Sequence, residues 1–368
     1  MKIAILGTRG IPNNYGGFEQ CAESLSIGLV QKGYDVTVYN PDFHPYKKQD
    51  YQGVKIQHIY SPQNYLGSAA SNFVFDYISL KHAVKQKFDI ILELGLITAA
   101  PAIIFCSKGS SIIVTNLDGL EWKRAKWTPT IRSITKWLEK FGVRNSNYLV
   151  ADNIAIQEYI KHRYNTKSEF IAYGTDEVSD LSIQTIEKYL IKQGGFILTI
   201  ARLEPENNLE LMCDAYLSSN SELPYYIIGN HQTKYGEELK SKYKETNIHF
   251  LGAIFNKQEL DTFRFFATLY LHGHSVGGTN PALIEAMAAQ AFVVIHNNPF
   301  NKSVVSQDNL SFSTKEDLQE ILNNDDFLSK REQLSQKNLE IINSKYRWNI
   351  IIDKYERYFL TILDDKKV

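Results

Sequence analysis

The stretch "NPALIEAMAA" (280–289) holds a single charge, Glu285, in an otherwise apolar setting. Asn280 is a strong N-cap type and Pro281 suits a first helical position. Leu283, Ile284, Met287 and Ala288 form one face, while Ala282, Ala286 and Ala289 keep the other small. A helix with no polar face is expected to be buried, and a carboxylate inside it needs a partner. Ribose or sugar hydroxyls would serve; so would a structural partner, either a backbone amide or Arg202. Immediately before the helix, Gly277, Gly278, Thr279 and Asn280 present an N-terminus suited to an anion or a close-packed ligand.

Three more segments have residue types that do chemistry. "GTRGIPNNYGGFEQ" (7–20) leaves the first strand with glycines whose spacing is not that of the dinucleotide fingerprint. That disfavours a Rossmann oxidoreductase using NAD. Gly16 and Gly17 stand at a helix N-terminus, where bare backbone N–H groups bind a phosphate or a substrate, or where the pair is simply a turn and cap. Asp118 in "TNLDGLEWKRAKW" (115–127) lies at the end of a strand, a placement for active-site work and equally for an Asp-Gly turn. Arg202 in "ARLEPENN" (201–208) follows the first strand of the second half, and its planar fork matches two diphosphate oxygens.

The elements that must position these residues alternate along the chain. Strand patterns fall at 2–7, 35–40, 54–59, 89–94, 111–116 and 147–152, then at 196–202, 225–230, 248–252, 269–273 and 292–296. Helical patterns separate most of them, notably at 18–32, 69–86, 129–144 and 153–163. This is the signature of α/β doubly wound, Rossmann-like domains, whose ligands sit beyond the carboxyl ends of the strands. The polar stretch 175–189 reads as a linker. It separates a domain at 1–174 from a second at 190–345, and an amphipathic helix closes the chain at 346–368.

With 368 residues, two cores are expected. A net charge of −1 gives no overall field for nucleic acid. Cys21, Cys106 and Cys213, odd in number and far apart, argue against a disulfide framework and for a reducing cytosol. No Cys/His spacing suggests zinc, no Asp-x-Asp motif is present, and no metal ligand set is expected. The opening "MKIAILG" reads as a strand, not a signal peptide, and no apolar run reaches membrane-span length.

"GTRGIPNNYGGFEQ", "NLDGLEWKR", "RLEPENN" and "HGHSVGGTNPALIEAM", in this order at strand ends, resemble the retaining family 4 glycosyltransferases over nearly the full chain. Within that family they are similar to the bacterial rhamnosyltransferase branch of cell-wall and capsular polysaccharide synthesis. The resemblance implies a GT-B fold: two Rossmann-like domains facing a cleft, with the C-terminal helix crossing back to the first. It implies a metal-independent, retaining hexosyltransferase without cofactor, moving L-rhamnose from dTDP-β-L-rhamnose to a hydroxyl of a lipid-linked saccharide. The product would be a β-L-rhamnoside.

The resemblance also assigns residues. Glu285 would bind the donor ribose and Arg202 its diphosphate. Gly16 and Gly17 would lie near the phosphates and the acceptor, and Asp118 where many relatives have a histidine near the reacting centre. Gly278, Thr279 and Asn280 complete the donor site. Two places depart from the wider family: Asn207 stands where it has a lysine, and Gly277 where it has a glutamate touching the donor sugar. The rhamnosyltransferase branch shares both substitutions. A UDP- or GDP-sugar donor, or a silent nucleotide-sugar-binding scaffold module, are the alternatives.

Residues 121–144 are strongly basic for a chain of near-neutral charge and hold three of the four tryptophans, Trp122, Trp127 and Trp137. Trp122, Lys123, Arg124, Lys126 and Trp127 are the expected contacts to an anionic membrane surface or to the acceptor. A solvated helix with inward-packed tryptophans is the alternative. The expected location is cytoplasmic, peripheral at the inner leaflet of the plasma membrane.

Overall fold

The computed structural model describes residues 1–14, 16–106, 110–117, 119–124, 127–189, 191, 195–324 and 326–365, with the side chains of 68 and 326–328 set aside. The chain divides into two units. One comprises Met1–Lys123, Trp127–Gly174 and Trp348–Val368; the other comprises Arg124–Lys126 and Thr175–Arg347.

The first unit is built on eight strands: β1 (Lys2–Leu6), β2 (Asp35–Pro41), β3 (Asp50–Tyr51), β4 (Val54–Ile59), β5 (Ile90–Glu93), β6 (Ile112–Leu117), β7 (Tyr148–Ala151) and β8 (Glu169–Phe170). Their order is β3-β4-β2-β1-β5-β6-β7-β8, and every pair is parallel except β3 with β4. The central strands are nearly continuous Ile, Val and Leu, as parallel strands covered on both faces require. Ile3, Ile5, Val38, Ile91, Leu92 and Val114 are fully buried.

The helix Trp348–Asp365 belongs to this unit and packs on the helix Gly17–Gln31. Gly28 makes that approach possible: a Cβ there would come within 2.2 Å of Ile352 Cδ1. Lys32 pairs with both Asp353 and Glu356 at 2.7 Å at the edge of the contact.

In the second unit β9 (Ile197–Ile200), β10 (Tyr225–Ile228), β11 (Ile248–Gly252), β12 (Leu269–His272), β13 (Val293–His296) and β14 (Ser311–Phe312) form one parallel sheet, ordered β11-β10-β9-β12-β13-β14. Its core joins Ile197, Leu203, Met212, Tyr225, Ile227, Leu271, Val294 and Phe312.

Elements beyond those read from sequence have identifiable reasons. Leu96–Cys106 is a helix although it is almost wholly apolar and contains Pro101; burial between two neighbouring helices overrides the breaker signal. The helix expected from 69 starts at Gln63, interrupted at Gly67, whose φ of 70° suits glycine. The stretch read as a linker contains one helical turn, Gln184–Glu187. The strands β3, β8 and β14 have two residues each, too short for periodicity to register.

Candidate functional site: the loops at the carboxyl end of the second sheet

The strands β9, β12 and β13 are neighbours, so the loops leaving their carboxyl ends lie side by side. Polar side chains bind these loops together. Asn208, in the left-handed conformation at φ 51°, donates from Nδ2 to the Gly273 carbonyl at 2.7 Å. Ser275 donates from its backbone and its hydroxyl to the Glu206 carbonyl at 3.0 and 2.8 Å. Asn298 and Asn301 both donate to the His274 carbonyl, at 2.9 and 2.8 Å. Asn280 caps the following helix, Pro281–Ala288, accepting from Ala282 N at 2.9 Å, with Pro281 in the first turn.

Asn207 has a buried amide that bridges two loops: Nδ2 donates to the Arg202 carbonyl at 2.7 Å and Oδ1 lies 2.7 Å from His274 Nδ1. That side chain therefore orients Arg202 and His274. The Arg202 guanidinium is 63% exposed and only loosely paired with Glu204 at 3.7 Å, so it remains available to an anion. Gly277 has φ 146°, and a Cβ on it would lie 2.7 Å from His274 Nε2. A side chain at 277 would collide with that ring. Gly278 and Thr279 are buried beside it.

Burial, reinforced by the charges of Arg202 and Arg124, lowers His274 to about 4. His272 is lowered to about 3 by burial and by His274 and His296. Sequence reasoning missed both, because nothing in "LHGH" distinguishes a buried imidazole from a surface one.

Glu285 has a structural partner in Arg264. Arg264 Nη2 donates to Glu285 Oε2 at 2.5 Å, and Nη1 to Asp261 Oδ1 at 2.8 Å. The guanidinium is 2% exposed and the Glu285 side chain 17%. A buried cation thus pairs with the carboxylate.

In the first unit, Gly16 is the N-cap residue of the helix starting at Gly17, with no side-chain cap. The loop before it is held by Glu19, which accepts from Arg9 N at 2.8 Å, and by Asn40, which accepts from Ile11 N at 3.0 Å. Below the loop, Gly7 has φ 81°, and a Cβ there would fall 2.0 Å from Glu93 Oε1. Glu93 and Asp76 are both buried. Burial raises Asp76 to about 7, and burial with the neighbouring Asp76 raises Glu93. Sequence reasoning did not find this pair, since the two residues lie on different elements. Asp118 and Lys126 lie outside the described residues.

The basic segment is more engaged than expected. Arg124, which groups with the second unit, is tied to Glu206 at 3.0 Å and Glu204 at 3.4 Å. Lys136 and Lys123 lie 4.4 and 5.5 Å from the centre of the half-buried Trp122 ring, and Trp127 Nε1 donates to Glu121 at 3.1 Å. Ile131, Ile134 and Trp137, on the helix Pro129–Asn145, are the exposed apolar residues. Among the described residues no helix is long and apolar enough to cross a membrane, and no three His, Cys, Asp or Glu side chains are grouped to hold a metal ion.

Residues 183–340 match the family described as Glycosyl transferases group 1, and residues 1–176 match a domain of unknown function, DUF1972. No curated protein sequence matches. Among solved structures, the chain is similar to sucrose-phosphate synthase from Thermosynechococcus elongatus, with a TM-score of 0.81 at 13% identity over 99% of both chains. It is similar to Anabaena HepE in complex with UDP and glucose, with a TM-score of 0.75 at 16% identity over 98% of this chain and 100% of that one. It is also similar to a UDP-forming trehalose-phosphate synthase from Burkholderia xenovorans in complex with glucose-6-phosphate, with a TM-score of 0.74 at 12% identity over 98% and 100%. At such identities the likeness is one of fold. The chain thus has the GT-B fold, and its residues 183–340 match the group 1 glycosyl transferase family.

Proposed function

We propose that the protein transfers a sugar, with retention of configuration, from a nucleoside diphosphate sugar bound on the second unit to an acceptor hydroxyl. The observation that carries this reading is the loop cluster itself. Through Asn207 it ties the Arg202 backbone to His274, three residues before Gly277, at the carboxyl ends of β9 and β12, and it leaves the Arg202 guanidinium exposed. Arg202 neutralises the diphosphate and Glu285, held by Arg264, accepts from ribose hydroxyls. The acceptor oxygen bonds to the anomeric carbon as the bond to the diphosphate oxygen breaks, and the hydroxyl proton leaves with the diphosphate. Asp118 is the proposed side chain near the reacting centre, and Gly16 and Gly17 offer backbone N–H groups to the phosphates or acceptor.

The donor proposed is dTDP-β-L-rhamnose and the acceptor a lipid-linked saccharide. The exposed Ile131, Ile134 and Trp137, with Lys123 and Arg132 nearby in sequence, supply an apolar and basic face for a peripheral contact with an anionic leaflet. UDP-glucose is a second donor reading, favoured by the similar HepE fold solved with that compound.

A thermal-shift panel with dTDP, dTDP-L-rhamnose, UDP and UDP-glucose tests both. A ligand at about 100 times its Kd stabilises its site by roughly 2.7 kcal/mol. A shift with the thymidine compounds alone supports rhamnose, and a shift with the uridine ones alone replaces it with glucose. Arg202→Ala and Glu285→Ala should each reduce the shift, while Asp118→Asn should slow turnover and leave it intact. No shift with any of the four would refute the reading.

A further inference from the structure

We propose that His274 is a specificity-determining residue that accepts a hydrogen bond, through Nε2, from a hydroxyl of the donor's sugar. This rests on the nucleotide-sugar reading above. The tautomer follows from the neighbouring amide. Asn207 Nδ2 donates to the Arg202 carbonyl at 2.7 Å, so the atom facing His274 Nδ1 at 2.7 Å is Oδ1, an acceptor. Nδ1 therefore has the proton, and Nε2 keeps a lone pair. Among the described residues nothing donates to Nε2, and the ring is half-buried, not sealed. Gly277, with no side chain, leaves Nε2 its space in the loop that precedes the Pro281–Ala288 helix.

The surroundings keep this imidazole neutral. Arg202 and Arg124 oppose a further positive charge, as do His296 and the neighbouring His272; Glu204 alone favours it. A neutral Nε2 is an acceptor, and phosphate oxygens at neutral pH offer it no proton. It is matched to a hydroxyl, while the diphosphate is left to Arg202. Asn207 is the positioning residue, fixing ring and tautomer without touching substrate.

Two measurements test this. Nitrogen-15 NMR of the histidines in the unliganded full chain should show His274 neutral, protonated at Nδ1, from pH 8 down to pH 6. An Nε2–H tautomer, or an imidazolium at pH 6, would overturn the proposal without any variant. Calorimetric titration of parent and His274→Phe with UDP, UDP-glucose, dTDP and dTDP-L-rhamnose then reads the sugar's share of affinity. For the sugar nucleotide that binds the parent, His274→Phe should weaken affinity roughly five- to tenfold. The matching bare diphosphate should change less than twofold. Equal weakening of both, or of neither, overturns the assignment and leaves the nucleotide-sugar reading in place. Absence of binding to the parent by all four compounds refutes both together.

Discussion

Arg264 joins two carboxylates in the second unit, so replacing it with methionine should expose how far a buried cation supports Glu285. The guanidinium is 2% exposed, and its loss affects the two carboxylates differently. Asp261 keeps Lys257 at 2.5 Å, whereas Glu285, 17% exposed, loses its 2.5 Å ion-pair partner. Removing one member of a buried pair costs about 3–5 kcal/mol. With one carboxylate still paired, the lower end, about 3 kcal/mol, is expected. For a unit of this size that lowers Tm by roughly 6–12 °C. Adding Glu285→Gln removes one of the two carboxylate charges that Arg264 balances and should recover at least about 1 kcal/mol relative to simple additivity. All four tryptophans belong to the first unit, so tryptophan fluorescence would miss the effect. Calorimetry, with hydrogen exchange read on the helices Lys257–Phe266 and Pro281–Ala288, is the suitable assay. A loss below about 1 kcal/mol, or a double variant worse than the sum of the singles, would refute the reasoning.

Asp76 and Glu93 give the first unit a pH dependence. Asp76 is raised from 3.8 to about 7, so the folded state retains a proton that the unfolded chain releases, and stability declines as pH rises through that window. Asp76→Asn should remove the decline, gaining on the parent by up to about 1.4 kcal/mol per pH unit in urea titrations followed by tryptophan fluorescence; a constant difference between pH 5 and pH 8 would count against it. Gly28→Leu should overpack the contact with Ile352 and cost the first unit about 2 kcal/mol. Ile352→Ala in the same chain should recover part of that cost, and no recovery would mean the helix contact is not where the damage lies.

Elements whose pattern is local were legible in the sequence. The β-branched runs placed β4 at 54–59 and β11 at 248–252 to the residue. Asn280 and Pro281 marked a helix start, because capping depends only on neighbours in the chain. Leu96–Cys106 was illegible for the converse reason: an almost wholly apolar helix containing proline has no local signal, and only the helices packed around it define it.

The sequence by itself determined that Glu285 needs a partner, since a carboxylate in an apolar helix is costly whatever surrounds it. It also placed Arg202 at a strand end and the glycines before the Pro281 helix. Only the tertiary structure decided that Arg264 is a partner, that Arg124 is held by Glu204 and Glu206, and that Asn207 holds His274. Strand and cap signals act over a few residues and can be read in order. These pairings join residues 21, 80, 82 and 67 positions apart, and charge and hydrogen bonding act through space, so they exist only once the sheet has brought the loops together.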